Sequence, residues 1–594
     1  MLLVQAHFKF IHLSLKIGAS MRTWKQKTVI LATQAVISIP LAANAATFNL
    51  VEATIGDINA VFDAGALTSE QLTQLYLNRI DAYDDNGPKI NSILTINPKA
   101  LETATQLDIE RQTTGVRSPL HGVPIILKDN YNTFDLPTTG GSDALNGSLP
   151  PDDAFVVELF RDAGAVILGK AEMDEFAISG SGYSSLGGAT LNPYQLNRQS
   201  AGSSGGTGAA ISASFATVGT GTDTGGSIRT PSSFQGLVGV RPTRGLISLE
   251  GIIPYALSRD NAGPIARTVT DAAITLSVMA ELDPNNPGTN TLIPAPIRED
   301  KSSTDYTKSL DLDDLNGARL GVVSNYFGVE NGVDPEVDLL MDAALETVKD
   351  LGATPVDIRF DNSFLSTMSN ASRTIALAEQ KPYLEKYLAT LDPQYPKTVE
   401  EIIAILESPE VANSETPSII VGTLEATSTF GGLDNPAYID VADVIPELRN
   451  TVLQLFESND LDALIFPTIG TFARPLIGTT DPTFVSPPGA PPIRQVEFAS
   501  LLGFADVTVP AGLSKGGLPV TLSFTGKPYS EETLLGLAYS FEQATMFRIP
   551  PNSTPPLPGE MFDYEPVPEP SSTVAFALFG LTAFAVKFKQ RQKV

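Results

Sequence analysis

Two blocks rich in glycine and serine hold the residues best placed to do chemistry. The first reads Gln-Ser-Ala-Gly-Ser-Ser-Gly-Gly-Thr-Gly-Ala-Ala over residues 199–210, and the second reads Gly-Thr-Gly-Thr-Asp-Thr-Gly-Gly-Ser-Ile-Arg-Thr-Pro over residues 219–231. A flexible linker would explain glycine and serine alone. Here a small-residue helix, expected over Ala209–Ala216, and a second glycine turn lie between apolar stretches inside the body. Buried glycine turns bring backbone N–H groups to a surface, which suits an anion or an oxyanion. The serine hydroxyls beside them are weak nucleophiles that need an adjacent base.

Composition restricts what that base can be. The 594 residues include no Cys and three His, and His7 and His12 lie in an N-terminal stretch that reads as a removable signal, leaving His121. A thiolate nucleophile, an iron–sulfur cluster and a thiolate zinc site are excluded, and one histidine cannot build a two- or three-histidine metal site. Two familiar motifs fail on physical grounds. Gly164–Lys170 fits the opening of a phosphate-binding loop, but Ala171 stands where a magnesium-binding hydroxyl belongs and Ala-Val-Ile-Leu reads as a strand. Gly202-Ser203-Ser204-Gly205-Gly206 fits a nucleophile elbow, but the triad histidine should follow the serine, and His121 precedes it.

The elements that must position these blocks are those of an α/β protein. Thr68-Ser69-Glu70-Gln71 is a capping box that opens a helix with Leu72, Leu75, Tyr76, Ile80 and Tyr83 at helical spacing. Val123–Leu127 and Ala165–Leu168 are short apolar runs bounded by Gly or Pro, as buried strands are, with helical spacing over Asp153–Ala163 between them. Leu461–Pro467 reads as a late core strand and Glu531–Thr545 as a final helix. Alternation of this kind predicts one large α/β unit, with a largely parallel or mixed sheet covered on both faces. The acidic, helix-rich stretch from about 300 to 450 carries no motif and is expected, by elimination, to form the variable part of a substrate pocket.

Taken together, the two blocks resemble the amidase signature family, whose hallmark is G-S-S-G-G, then about twenty residues, then G-T-D-x-G-G-S-I-R-x-P and G-x-x-G-x-[KR]-P-T. The last piece is here Gly236-Leu237-Val238-Gly239-Val240-Arg241-Pro242-Thr243. The resemblance runs from Glu52 through Leu120-His121-Gly122-Val123-Pro124-Ile125-Ile126-Leu127-Lys128-Asp129-Asn130 to Phe541-Glu542-Gln543-Ala544-Thr545. It implies the family's α/β fold, a single large domain built on a large twisted mixed β-sheet covered by helices on both faces, and its Ser-cisSer-Lys triad, with Ser227 as nucleophile, Lys128 as base and Ser203, after a cis Gly202-Ser203 peptide, as the relay between them. It also implies an oxyanion hole from the backbone N–H groups of Thr224, Gly225, Gly226 and Ser227, with no metal and no cofactor. Asp223 and Arg229 are expected to hold that loop by ion pairing, Gly202 to support the relay serine, Ser179 to lie near the scissile bond, and His121 to be a hydrogen-bonded bystander. For Lys128 to act, its pKa must fall from about 10.4, which burial at the end of an apolar strand would do. Residues 251–264 and the region of Glu52 are most similar to the bacterial peptide amidase branch, although that branch departs from this chain in the nucleophile loop.

The two ends read as address labels. Met21–Lys27 is basic, Thr28 to about Ala42 is apolar, and Ala43-Asn44-Ala45 is a small-x-small site, so residues 1–45 are expected to be a secretory signal, with 1–20 upstream of the true start. The body is expected over 46–550 and a Pro-rich linker over 551–570. Residues 571–594, apolar and then basic after Val567-Pro568-Glu569-Pro570, resemble the PEP-CTERM sorting signals of exported bacterial proteins. The expected partners are therefore a small-molecule or peptide amide, the membrane transiently through the C-terminal segment, and the sorting and processing machinery of the cell envelope. A formal charge of -28 argues against nucleic acid. The reading is an exported amidohydrolase (periplasm, envelope or medium) acting through an acyl-serine. The alternatives are a glutaminase-type subunit of a tRNA-dependent amidotransferase and a catalytically dead envelope scaffold.

Overall fold

A computed structural model describes residues 45–289, 291–296, 304–412, 418–484, 487 and 494–567. The expected signal (apart from Ala45) and the expected sorting segment lie outside these residues. In the strands Pro124–Lys128, Val166–Ala171, Val218–Thr222, Ala262–Ala266 and Ala463–Pro467 every residue is buried. Successive side chains of a strand point to opposite faces, so a strand buried throughout must be covered on both sides. These strands belong to a mixed sheet of eleven.

Parallel pairing occupies two zones of that sheet. Pro124–Lys128 lies parallel to both Val166–Ala171 and Val218–Thr222, and Arg319–Val323 lies parallel to both Thr354–Ile358 and Ala463–Pro467. Antiparallel strands join the zones, among them the long hairpin of Ala505–Leu513 with Pro519–Gly526. The first zone matters for function, because Lys128 and Thr222 both end neighbouring parallel strands at the same sheet edge. Crevices outside such carboxyl ends are where open α/β sheets hold their ligands.

Several expected elements are found. The Thr68 capping box is formed, and the final helix spans Glu531–Thr545. The small-residue helix begins earlier than expected, at Gly205, and runs to Ser212. Glycine usually signals a turn, but a Cβ at Gly206 would sit 2.4 Å from the Glu172 carbonyl oxygen and one at Gly208 2.7 Å from Gln235 Nε2. Close approach of this helix to its neighbours, rather than a turn, is what excludes side chains there.

The segment expected to be a tether from residue 551 is instead largely part of the body. Met561–Tyr564 pairs antiparallel with Ala46–Asn49, Phe48 packs on Phe562, and Glu560 forms a buried ion pair with Arg79 at 2.6 Å. Proline-rich composition cannot register these contacts, because the guanidinium and the strand that capture the segment come from the opposite end of the chain.

Candidate active site

The Lys128 ammonium nitrogen is fully buried at the end of its strand, donating to Ser203 Oγ at 2.8 Å and to Thr222 Oγ1 at 2.7 Å. Asn130 Nδ2 donates to the same threonine oxygen at 3.1 Å. Burial lowers the lysine pKa to about 7, and the surrounding carboxylates of Asp174, Asp223 and Asp260 only partly oppose it. A lysine in this state is an amine for much of the time near neutral pH. An amine in hydrogen-bond contact with a serine hydroxyl can take its proton.

Ser203 follows a cis Gly202–Ser203 peptide. Its carbonyl accepts from the Asp174 N–H at 3.1 Å, and the next N–H, of Ser204, donates to the Ser227 carbonyl at 3.3 Å, so the two serine segments are stitched together. Asp174 is completely buried, and its carboxylate accepts from the N–H groups of Ser181, Gly182 and Tyr183. Burial pushes its pKa up to about 6, against the pull of those donors and of Lys128. Gly202 lies directly on this carboxylate: a Cβ there would be 2.1 Å from Asp174 Oδ1.

Ser227 lines a cleft of about 340 Å³ shared with Ser179, Gly202, Thr224 and Gly225. Its loop is anchored from below. Asp223 accepts from Arg229 Nε at 3.0 Å and from Arg241 Nη1 at 2.9 Å, Arg229 reaches on to Asp506 at 3.1 Å, and all four side chains are completely buried. Burial alone would raise the Asp223 pKa, but Arg229 and Arg241 hold it far below the usual carboxylate range. Arg229 and Asp223 thus fix the loop without facing the cleft.

The four N–H groups anticipated as an oxyanion hole divide. The Gly226 N–H donates to Asp223 Oδ1 at 2.9 Å and is spent on holding the loop. Among the described residues the N–H groups of Thr224, Gly225 and Ser227 have no acceptor. Gly226, at φ +110°, also has Val496 against it, 2.5 Å from where a Cβ would stand. Ser179 takes a left-handed φ of 82° and pairs its hydroxyl with that of Ser181 at 3.0 Å. His121 is buried at a distance from these groups in the hydrogen-bond network, its Nε2 2.9 Å from the Leu107 carbonyl and its Nδ1 accepting from the Arg117 N–H.

Residues to which the sequence reading gave no role complete the site. Thr222 and Asp174 bracket the lysine, Asp260 accepts from Thr224 Oγ1, and the helix Asn362–Leu388 supplies Ser369, Ser372, Arg373 and Ala376 to the cleft wall. The last group lies within the 300–450 region expected beside the substrate. Only the apolar spacing of that helix marks it in the sequence.

Comparison with known proteins shows the family. The family model for amidases matches residues 71–535. The chain is 36% identical over 503 residues to a glutamyl-tRNA(Gln) amidotransferase subunit of Geobacter metallireducens, covering 84% of this chain and 98% of that one. It is 33% identical to a probable amidase of Arabidopsis thaliana, covering 88% and 96%. Among solved structures, the native peptide amidase of Stenotrophomonas maltophilia superimposes with a TM-score of 0.75 at 36% identity, over 85% of this chain and 99% of that one.

Proposed function

The chain belongs to the amidase family and is an amide-hydrolysing enzyme, and from that premise we propose that it cleaves a carboxamide C–N bond through an acyl-Ser227 intermediate. The Ser227 oxygen attacks the amide carbonyl carbon and forms a C–O bond. Its proton passes to Ser203, whose own proton passes to Lys128 Nζ. The carbonyl oxygen, now negative, is held by the N–H groups of Thr224, Gly225 and Ser227. On collapse the C–N bond breaks and the proton stored on Lys128 returns through Ser203 to the departing nitrogen. Water then repeats the sequence on the ester, releasing a carboxylic acid and restoring Ser227.

The observation that carries this reading is the buried Lys128–Ser203 contact. At an ordinary lysine pKa the base would be unprotonated about one time in three thousand at pH 7, a penalty of nearly 5 kcal/mol on every turnover. With a pKa of about 7 the amine is available half of the time. Donors preorganised in a water-poor site typically contribute about 3–4 kcal/mol each to holding an oxyanion. Ser227→Ala should abolish ammonia release and labelling by a fluorophosphonate, and full turnover by that variant refutes the mechanism.

A second reading is favoured by the amidotransferase relatives: a glutaminase component delivering ammonia to a partner. Ammonia release from free glutamine, set against release from peptide, aliphatic and fatty amides, separates the two. Export with processing at both ends is our further proposal, supported by the basic-apolar-small pattern before Ala46 and the apolar-basic pattern after Pro570. Mass spectrometry of both termini of the mature protein tests it.

A further inference from the structure

We infer that the substrate's acyl part carries a carboxylate, and that Arg373 selects it. The inference rests on the amide-hydrolase reading and adds the substrate's charge to it. In a chain of formal charge -28, the cleft over Ser227 collects three arginines, Arg259, Arg373 and Arg494, and one carboxylate, Glu497.

That carboxylate is already committed. Arg494 Nε donates to Glu497 Oε1 at 2.8 Å, Arg259 Nη2 lies 3.6 Å from Glu497 Oε2, and the Ser372 hydroxyl donates to the same Oε2. Burial opposes ionisation of Glu497, but Arg494 and Arg259 outweigh it and hold its pKa below the usual value. One negative charge is therefore shared by two guanidinium groups. Both press on the nucleophile loop: a Cβ at Gly225 would be 3.3 Å from Arg259 Nη2 and 3.7 Å from Arg494 Nη2.

Arg373 has no carboxylate partner among the described residues, and it is exposed on the cleft wall. On its helix, Ser369, Ser372 and Ala376 stand one turn before it, beside it and almost one turn after it, which places all four on one face. Its neighbours on that face are small, so a ligand group has room beside the guanidinium. Among the residues that line it the cleft has three guanidinium groups to one carboxylate, with Arg373 and Arg494 exposed and Arg259 buried beside Asp260, and a concave site with low-dielectric walls concentrates such a field. A guanidinium fork matches a carboxylate with two parallel hydrogen bonds. A cationic acyl group would meet repulsion in the same place, and a neutral one would gain nothing from it.

The test uses three peptide amides alike in length, acetyl-glutamate, acetyl-norleucine and acetyl-lysine α-carboxamide, with ammonia release followed in the whole enzyme at low salt. The expected order of kcat/KM is glutamate, norleucine, lysine, with the first at least tenfold above the second, the difference residing in KM and shrinking as salt is added. Arg373→Glu should invert the order of the glutamate and lysine substrates, and Arg373→Lys should retain the order with a smaller ratio. Arg373 is exposed, so folding of these variants is checked simply by an unchanged melting temperature. Equal turnover of all three amides, or an order that Arg373→Glu leaves intact, overturns the inference while amide hydrolysis stands. Ammonia release no greater than that of Ser227→Ala from all three, and from glutamine and the aliphatic and fatty amides as well, overturns amide hydrolysis itself.

Discussion

Lys128 is a cation by composition and largely an amine by location, and its burial makes two quantities move in opposite directions. Activity requires the deprotonated form, so kcat/KM should rise with pH through an apparent pKa near 7, and a limb near 10 would contradict the assigned base. Stability carries the converse burden. The folded-state pKa lies below the unfolded value of 10.5, so folding releases a proton between about pH 7 and 10.5, and the burial penalty shrinks as pH rises through that window. Lys128→Met should therefore be inactive yet more stable, by on the order of 2 kcal/mol at pH 7 after allowing for the hydroxyls of Ser203 and Thr222 left unpaired. The gain should fade toward pH 10.5 in melting experiments, and a loss of stability at pH 7 would refute it. Lys128, Ser203 and Ser227 could be singled out in the sequence because the runs that hold them resemble the motifs of one family. Asp174 was not, since its bonds to the loop of Ser181–Tyr183 and its place beneath Gly202 follow from chain folding, and no local pattern announces them. The spending of the Gly226 N–H on Asp223 was equally hidden.

Among elements, the turn entering the helix Gly205–Ser212 leaves no room for a side chain at Gly202. Asp174 is anchored by three backbone donors and cannot retreat from a new methyl group 2.1 Å away. Gly202→Ala should lower kcat by two orders of magnitude or more and cost about 1–3 kcal/mol in stability, the usual penalty of overpacking a filled interior. Retention of wild-type kcat would show that the relay serine tolerates displacement. Helix and strand positions were well marked where one period dominated, as in Glu531–Thr545 and in Ala463–Pro467 within its longer apolar run. The start of the glycine-led helix escapes a sequence reading for a physical reason: local propensity counts Gly205 and Gly206 as breakers, while the close packing that demands them is a tertiary fact. The helix Asn362–Leu388 contains Pro382 and was visible only as a tendency of its region.

At the scale of the molecule, strand order was beyond the sequence, because the pairing of Ala463–Pro467 with Arg319–Val323 and Pro519–Gly526 joins segments far apart in the chain. The tail shows the same limit. Glu560→Ala would leave the Arg79 guanidinium buried among carbonyl oxygens with no ion-pair partner among the described residues, a change that typically costs about 3–5 kcal/mol. A fall in melting temperature with unchanged kcat in the folded population is expected, and indifference to the substitution would mean the tail is dispensable. The register of this clasp, Ala46 opposite Tyr564, sets the two ends of the body side by side. In topological terms the body is a ring closed by hydrogen bonds instead of a peptide bond. A short covalent bridge across the clasp, with new ends opened at a surface loop, should give a circular permutant that folds to the same site.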